Sequence, residues 1–534
     1  MDKISFSEEQ KAIFDYAEHG ILNMIVQAVA GAGKTTTLVE CANRIRPDRK
    51  VMLLAHNRST RDTLLEKIGH KDNIKVFTLH GLAYRMFVEY FGKKPEIDDN
   101  KYRNYINKNI DTIGTEFYLT IPRNAKLMYK ANVFSIIDKA RHNLKKSERE
   151  LKRLAEKKYN MILLGDECAF ANQVLEWGYN NTDVVDFQDL LWYPSQYGYF
   201  TKIYTSDIIM LDEAQDASIA QQDVVSRCFK RETRMFSFGD RDQTINSWCG
   251  SDTESFEHLK DPVLFRRDSI EFPLTTNYRC GTKIIEYAKQ YTDNNIHARV
   301  DAPEGEIHFN SHINDIKNGD MVLCRNISPL MEFYRIGVAN GKKMYFKGEE
   351  LGKTIIETID CSYGETPKEI VDSLKHRLIN TWDFFTEETG LDRRETMTNP
   401  IIISMLDTIK TIENFPKTVE NRKDSKKFIS EIFSNEENGG IELSTIHRAK
   451  GLEANNVFII CPSLIPSKLA ESDWEIEEEK HLQYVMCTRA KNSLNFVSEK
   501  EIKPKNFFSE KNVLFKELED IRKEIGNEQS YKKD

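Results

Sequence analysis

Short apolar runs separated by helix-like stretches occupy the first 92 residues and return after residue 184. Residues 23–30 run apolar into a glycine-rich turn, and residues 34–45 read as a helix. Val51–Ala55 and residues 75–79, 207–211 and 235–238 are further short apolar runs bounded by polar turns. Continuous runs, as opposed to strict alternation, predict parallel strands buried on both faces. Between 93 and 183 the pattern becomes helical and locally basic. Residues 139–158 hold nine Lys or Arg against three Glu, which reads either as a solvated helix face or as a phosphate-tracking surface. A second alternating region begins near Phe272, with runs at 307–309, Met321–Cys324, 442–444, 457–461 and 493–497. A charged, helix-like segment at 350–437 interrupts it. The fold class this predicts is α/β with two parallel-sheet cores, each carrying a mainly helical insertion. The first core takes 1–92 and 184–271, with 93–183 inserted. The second takes 272–349 and 438–498, with 350–437 inserted. Residues 499–534 form a charged tail, predicted as a terminal helix with a frayed end.

Composition narrows the class. The chain has 534 residues, 40% hydrophobic and 30% charged, too many for one ordinary core. No stretch of eighteen apolar residues occurs, so no membrane span is expected. The N-terminus has no apolar signal core, and the nine cysteines form no C-x-x-C pair. Both features predict a cytoplasmic protein without a zinc ribbon or disulfide framework. A net charge of -8 speaks against non-specific coating of duplex DNA, but local basic surface can still bind nucleic acid. The richness in Lys, Asn and Ile hints at an AT-rich bacterial or viral genome.

Two strand ends carry candidate chemistry. Ala28-Val29-Ala30-Gly31-Ala32-Gly33-Lys34-Thr35 follows the first run and opens a helix, although a P-loop usually begins with Gly where Ala28 stands. Glycines let backbone N–H groups turn towards phosphate oxygens, and a helix N-terminus favours negative charge. ATP is thus the expected ligand, cradled by Ala30, Gly31, Ala32, Gly33, Lys34, Thr35 and Thr36. Lys34 would reach the β- and γ-phosphates and Thr35 would ligate Mg²⁺. The run 207–211 ends in Asp212 and Glu213. Asp212 would hold the Mg²⁺ shell, and Glu213 would orient and deprotonate the attacking water. Gly239-Asp240-Arg241-Asp242-Gln243 follows another strand, where the Gln243 amide can sense the γ-phosphate.

Together with motifs further along, these elements resemble the UvrD/PcrA/Rep group of superfamily 1 helicases, in order from residue 6 to about residue 496. Phe6-Ser7-Glu8-Glu9-Gln10 resembles the Q motif, which implies that Gln10 reads the adenine edge. Leu54-Ala55-His56-Asn57 and Thr78-Leu79-His80-Gly81 stand where the family's early DNA contacts stand, implicating Asn57, Thr78 and His80. Asp186-Phe187-Gln188-Asp189-Leu190-Leu191 resembles the acidic-aromatic segment before motif II, and Asp212-Glu213-Ala214-Gln215-Asp216 is similar to motif II itself. Asn277-Tyr278-Arg279 resembles motif IV, implying that Tyr278 stacks on the base and Arg279 is one arginine finger. Cys324-Arg325-Asn326 looks like the strand end that follows. Residues 445–453 resemble motif V, with Glu453 at the ribose and Thr445 and His447 at DNA. Residues 478–490 resemble motif VI, with Arg489 as the second finger. The resemblance implies two RecA-like P-loop cores with ATP held in the cleft between them. It also implies 3′-to-5′ movement along single-stranded DNA and at single-strand/duplex junctions, with unwinding.

Some positions depart from the family. After Gln243 the family usually has a Tyr, an aromatic and an Arg. Here Asn246 and Cys249 stand for the Tyr and Arg, and Trp248 keeps the aromatic, whose stacking on a base is worth roughly 1–3 kcal/mol. Lys480-His481 replaces positions usually rich in Arg. The second insertion is about half the usual size, and no further module is expected after motif VI. A short chain of this kind also resembles phage-encoded helicases and the helicase-like subunit of the Gabija antiviral system. The alternative reading is therefore a DNA-gated ATPase sensor, partnered in a repair, replication or defence complex. A scaffold with a dead motor site needs none of Lys34, Asp212, Glu213, Gln243, Arg279 and Arg489. RNA stays open as a track, because backbone tracking and stacking accept either sugar.

Overall fold

The structure is a computed structural model that describes residues 5–113, 115–121, 123–245, 253–434, 439–502 and 510–531. At 123–125, 127, 253–255, 388–389, 434 and 526–531 only the backbone is described. The chain divides into two compact units, Met1–Thr276 and Asn277–Asp534. Among the described residues no helix is long and apolar enough to cross a membrane.

The strands of the first unit are β1 (Asn23–Ala28), β2 (Val51–Ala55), β3 (Ile74–Thr78), β4 (Glu96–Ile97), β5 (Val184–Val185), β6 (Ser206–Leu211), β7 (Phe229–Gly239) and β8 (Ser269–Leu274). Six of them form one parallel sheet in the order β3-β2-β6-β7-β1-β8. Every residue of β2 is buried, as expected for a central strand covered by helices on both faces. Strand β8 pairs with β1 from Asn23↔Ser269 to Ala28↔Leu274. The first core therefore extends through Leu274, and its unit through Thr276, beyond the boundary at 271 that the pattern predicts. Most β8 residues are exposed or half-exposed, so this edge strand carries no apolar run.

The helical insertion leaves and re-enters the core through the small β4–β5 pair. A buried ion network fastens it. Lys101 meets Asp189 at 2.6 Å, and Arg141 meets Asp186 at 2.6 Å and Asp189 at 3.1 Å. The Tyr102 hydroxyl donates to Asp189 at 2.6 Å. Arg141, counted above within the basic stretch, is thus an internal tie. Arg149, Lys152, Arg153 and Lys157 are the exposed basic residues of that stretch.

The second unit contributes β9 (Glu306–Ser311), β10 (Met321–Cys324), β11 (Met344–Lys347), β12 (Phe433–Ser434), β13 (Ile441–Thr445), β14 (Ala454–Ile459) and β15 (Ala490–Val497). They form a parallel seven-stranded sheet in the order β9-β15-β14-β10-β13-β11-β12. Its last strand comes from within 350–437, so that segment is not a pure insertion. The Phe433 ring stacks on Phe346 of β11 with centroids 4.7 Å apart. The rest of the segment is helical and includes Pro367–Thr389 and Pro400–Glu413. The terminal helix Lys511–Tyr531 does not stand free in the described residues. Leu514, Leu518 and Ile521 are buried. Lys375 meets Glu524 and Arg522 meets Asp383 at 3.2 and 3.0 Å, and Lys410 pairs with Glu517.

Candidate functional site

The P-loop turn leaves β1 at Ala28 and enters the helix Lys34–Arg44. Gly31 and Gly33 have φ of 66° and 75°, a left-handed backbone that costs a side-chain-bearing residue energy. The helix has no side-chain cap and no acidic residue in its first turn. Its N-terminus is therefore suited to an anion. Ala30 and Ala32 are buried, and Lys34, Thr35 and Thr36 are half-buried in that first turn. Gln10 lies beside the loop: its Nε2 donates to Thr37 Oγ1 at 3.0 Å, and that hydroxyl donates to the Gly33 carbonyl at 3.0 Å. Gln10 also closes the capping box of its own helix by accepting from the Ser7 amide.

Strand β6 delivers Asp212 and Glu213 to the same place. Lys34 Nζ meets Glu213 Oε2 at 2.5 Å. Burial alone pulls the Lys34 ammonium down, but Glu213, Asp212 and Asp240 more than reverse this, so its pKa is raised. Asp212 is 1% exposed. Burial, then the Glu213 charge, push its carboxyl up to about 6. Its Oδ1 accepts from the Glu213 amide at 3.0 Å, while Oδ2 is buried with no hydrogen-bond partner. Such an oxygen carries a desolvation cost that a cation relieves. The residues fit Mg²⁺, which takes one or two protein oxygens and completes its shell with phosphate and water. Asp212 and the Thr35 hydroxyl would hold it. Among the described residues no cluster of three His, Cys, Asp or Glu forms an all-protein metal cage.

A line of hydrogen bonds continues from this pair. Gln215 Nε2 donates to Glu213 Oε2 at 2.7 Å, and Gln215 Oε1 accepts from the Asp240 amide at 3.1 Å. Asp240 Oδ2 accepts from Gln243 Nε2 at 2.6 Å. Asp240 is fully buried, and burial together with Asp242 pushes its carboxyl up to about 7. The line Lys34–Glu213–Gln215–Asp240–Gln243 thus ties the P-loop lysine to the amide at the end of β7. Gln215 and Asp240 lie inside motifs quoted above, but nothing in their residue types signals this linking role.

In the second unit Arg279 Nε meets Glu453 Oε2 at 2.6 Å, and its Nη1 donates to the Thr488 carbonyl at 3.2 Å. Glu453 also meets Lys491 at 2.7 Å. Arg489 is 1% exposed. Its Nε donates to the Val485 carbonyl, Nη1 to the Leu452 carbonyl and Nη2 to Thr488 Oγ1, at 3.0, 3.2 and 3.0 Å. Tyr278 is 40% exposed, which leaves a ring face for stacking.

The residues singled out for DNA sit mostly at helix starts. Asn57 caps the helix Arg58–Ile68 through Thr60 at 2.8 Å, and Thr78 caps Leu79–Phe91 through Gly81 at 3.1 Å. His80 is half-buried beside Phe187, ring centroids 6.0 Å apart. Burial, then His56 and His142, hold its pKa down at about 4, so at neutral pH it offers hydrogen bonds and no charge. Thr445 ends β13, and His447 in the following turn is held well below the usual imidazole range by burial and by Arg325. Arg325 donates to Glu479 Oε1 from Nε and Nη2 at 2.9 and 2.8 Å. Trp248, Asn246 and Cys249 lie outside the described residues.

Comparison with known families matches residues 7–263 to the UvrD/REP helicase N-terminal domain and residues 369–501 to the UvrD-like helicase C-terminal domain. The F-box DNA helicase protein 1 of Schizosaccharomyces pombe is 22% identical, over 91% of this chain and 57% of its own. A probable DNA helicase II homolog of Mycoplasma pneumoniae is 24% identical, over 52% of this chain and 41% of its own. The ATP-dependent DNA helicase PcrA of Bacillus subtilis is 22% identical, over 89% and 81%. The chain spans about half the length of the first two relatives. Both halves of one family's architecture stand in order in this chain, and it belongs to the UvrD/PcrA/Rep-like superfamily 1 helicases.

Proposed function

We propose that this chain is an ATP-driven motor that moves 3′-to-5′ along single-stranded DNA and separates duplex at a junction. The observation that carries the reading is the hydrogen-bonded line from Lys34 through Glu213, Gln215 and Asp240 to Gln243. A purely structural turn has no use for a lysine, two acids and two amides joined in this way.

In this reading Lys34 and the P-loop amides bind the β- and γ-phosphates, and Gln10 meets the adenine. Thr35 and Asp212 hold Mg²⁺, which when bound neutralises charge on the phosphate oxygens. Glu213 accepts the proton of the water that attacks the γ-phosphorus, as the bond to the β–γ bridging oxygen breaks. Arg279 and Arg489 supply positive charge to the γ-phosphate in the transition state. Tyr278 stacks on the base and Glu453 meets the ribose. Gln243 registers loss of the γ-phosphate and passes it through Asp240 and Gln215. Asn57, Thr78, His80, Trp248, Thr445 and His447 contact the strand, and the exposed basic residues 149–157 follow its phosphates.

A second reading, a DNA-gated ATPase sensor within a larger complex, is favoured by one observation. The 350–437 segment is tied into its own unit by β12 and by the terminal helix, which suits a fixed brace more than a swinging arm. Strand displacement on 3′-tailed and 5′-tailed duplexes decides between them. Magnesium- and ATP-dependent release from the 3′-tailed substrate alone is the expected result. Preference for the 5′ tail overturns the polarity, and strong DNA-stimulated hydrolysis without displacement selects the sensor.

A further inference from the structure

The helix Ile327–Ala339 starts directly after β10 and Arg325, and its start is unusual. Asn326 stands at the N-cap but makes no side-chain cap bond. A cap normally serves the amide two or three residues on. Pro329 occupies the third helical position and has no N–H. The two remaining amides of the first three positions are served from 80 residues away. Asp407 Oδ2 accepts from Ile327 N–H at 3.2 Å, and Oδ1 accepts from Ser328 N–H at 3.1 Å. Asp407 lies on Pro400–Glu413, within the segment expected to be an insertion.

What lies beside this cap makes it more than a local fastening. The turn from β10 into the helix holds Arg325, which donates twice to Glu479 on the helix Asp473–Cys487. The other oxygen of Glu479 accepts from the Ser467 amide at 2.8 Å. The Cys324 carbonyl accepts from the Ile446 amide at 3.0 Å, so the same turn carries the loop holding Thr445 and His447. Arg325 is close enough to Asp407 and to His447 to bias the charge of both. Lys410, three residues on along the same helix and so close to Asp407 on its surface, pairs with Glu517 of the terminal helix.

We propose that Asp407 is a positioning residue for the strand-gripping edge of the second unit. Its carboxylate fixes the start of Ile327–Ala339, and through that turn it sets Arg325 and the 445–449 loop. The 350–437 segment and the terminal helix then act on DNA grip from behind, with no need to touch the strand. The functional half of this rests on the motor reading, and the structural half does not.

The test compares the full-length chain with Asp407→Ala and Asp407→Asn. The alanine variant is expected to need about fivefold more single-stranded DNA for half-maximal ATPase, the effect of losing one helix cap. Its DNA-free hydrolysis should stay within about twofold of wild type, since the Asp407 carboxylate bonds to Ile327 and Ser328, neither of which is assigned to the nucleotide. Asp407→Asn, which keeps an acceptor oxygen and loses the charge, should fall between the two. Hydrogen exchange reads the structural half without DNA: the amides at 325–328 and 446–449 should exchange faster in Asp407→Ala. A wild type without DNA response sinks the motor reading, and the exchange result then decides the positioning claim alone. Unchanged exchange at 446–449, or equal loss of DNA-free and DNA-stimulated hydrolysis, overturns the proposal. Should Asp407→Ala not fold, a wild-type DNA requirement and wild-type exchange in Asp407→Asn overturn it equally.

Discussion

Replacing Lys34 by alanine should lower DNA-stimulated ATP turnover by about a thousandfold or more, as expected when the main charge on the transferring phosphoryl group is removed. The geometry sharpens the expectation. Lys34 is the cation at the centre of Glu213, Asp212 and Asp240, and it pairs directly with Glu213 at 2.5 Å. Without it three carboxyl groups lose the cation they share, and a triphosphate brought there meets net negative charge. Binding and hydrolysis should fail together. Arginine should not restore them, because a planar guanidinium cannot take the position of a compact ammonium. Phosphate release at saturating single-stranded DNA measures the effect, with circular dichroism reporting that the variant is folded. Turnover within tenfold of wild type would remove Lys34 from the phosphate site.

The second large effect is on pH. The Asp212 carboxyl is pushed up to about 6, first by burial and then by Glu213. Magnesium needs the ionised form, so below that pH each ion bound must displace a proton. The apparent Mg²⁺ affinity, titrated calorimetrically with a non-hydrolysable ATP analogue, should be flat above neutrality. Below about pH 6 it should weaken by about tenfold per pH unit. An affinity unchanged between pH 5 and 8 would take Asp212 out of the metal shell. The sign for stability is the reverse of the usual carboxylate. Asp212 and Asp240 both have raised pKa values, so the folded state binds more protons than the unfolded chain. In the ligand-free protein these two groups therefore contribute a stability that is lost as pH rises from about 4 through 7. That cost is held at the site where a bound metal ion would relieve it.

The central strands were legible because parallel strands buried on both faces must be apolar throughout, as in Val51–Ala55 and Met321–Cys324. Edge strands escape this rule. β8 mixes exposed and buried positions, and β12 is two residues long, set by the Phe433 ring against Phe346. The terminal helix docks through Leu514, Leu518 and Ile521, an apolar stripe diluted by many charges. At the site, the P-loop and the paired acids were legible because their chemistry is local to one strand end. Gln215 and Asp407 were not. Gln215 works through an amide 25 residues away and Asp407 through amides 80 residues away, and no spacing in the chain announces either pairing.

One experiment bears on the central claim most directly: steady-state ATP hydrolysis by the full-length chain with Mg²⁺, with and without single-stranded DNA. A motor gated by its track should hydrolyse at least about tenfold faster with DNA, equivalent to about 1.4 kcal/mol of barrier. Equal rates in the two conditions, or no hydrolysis in either, would contradict it.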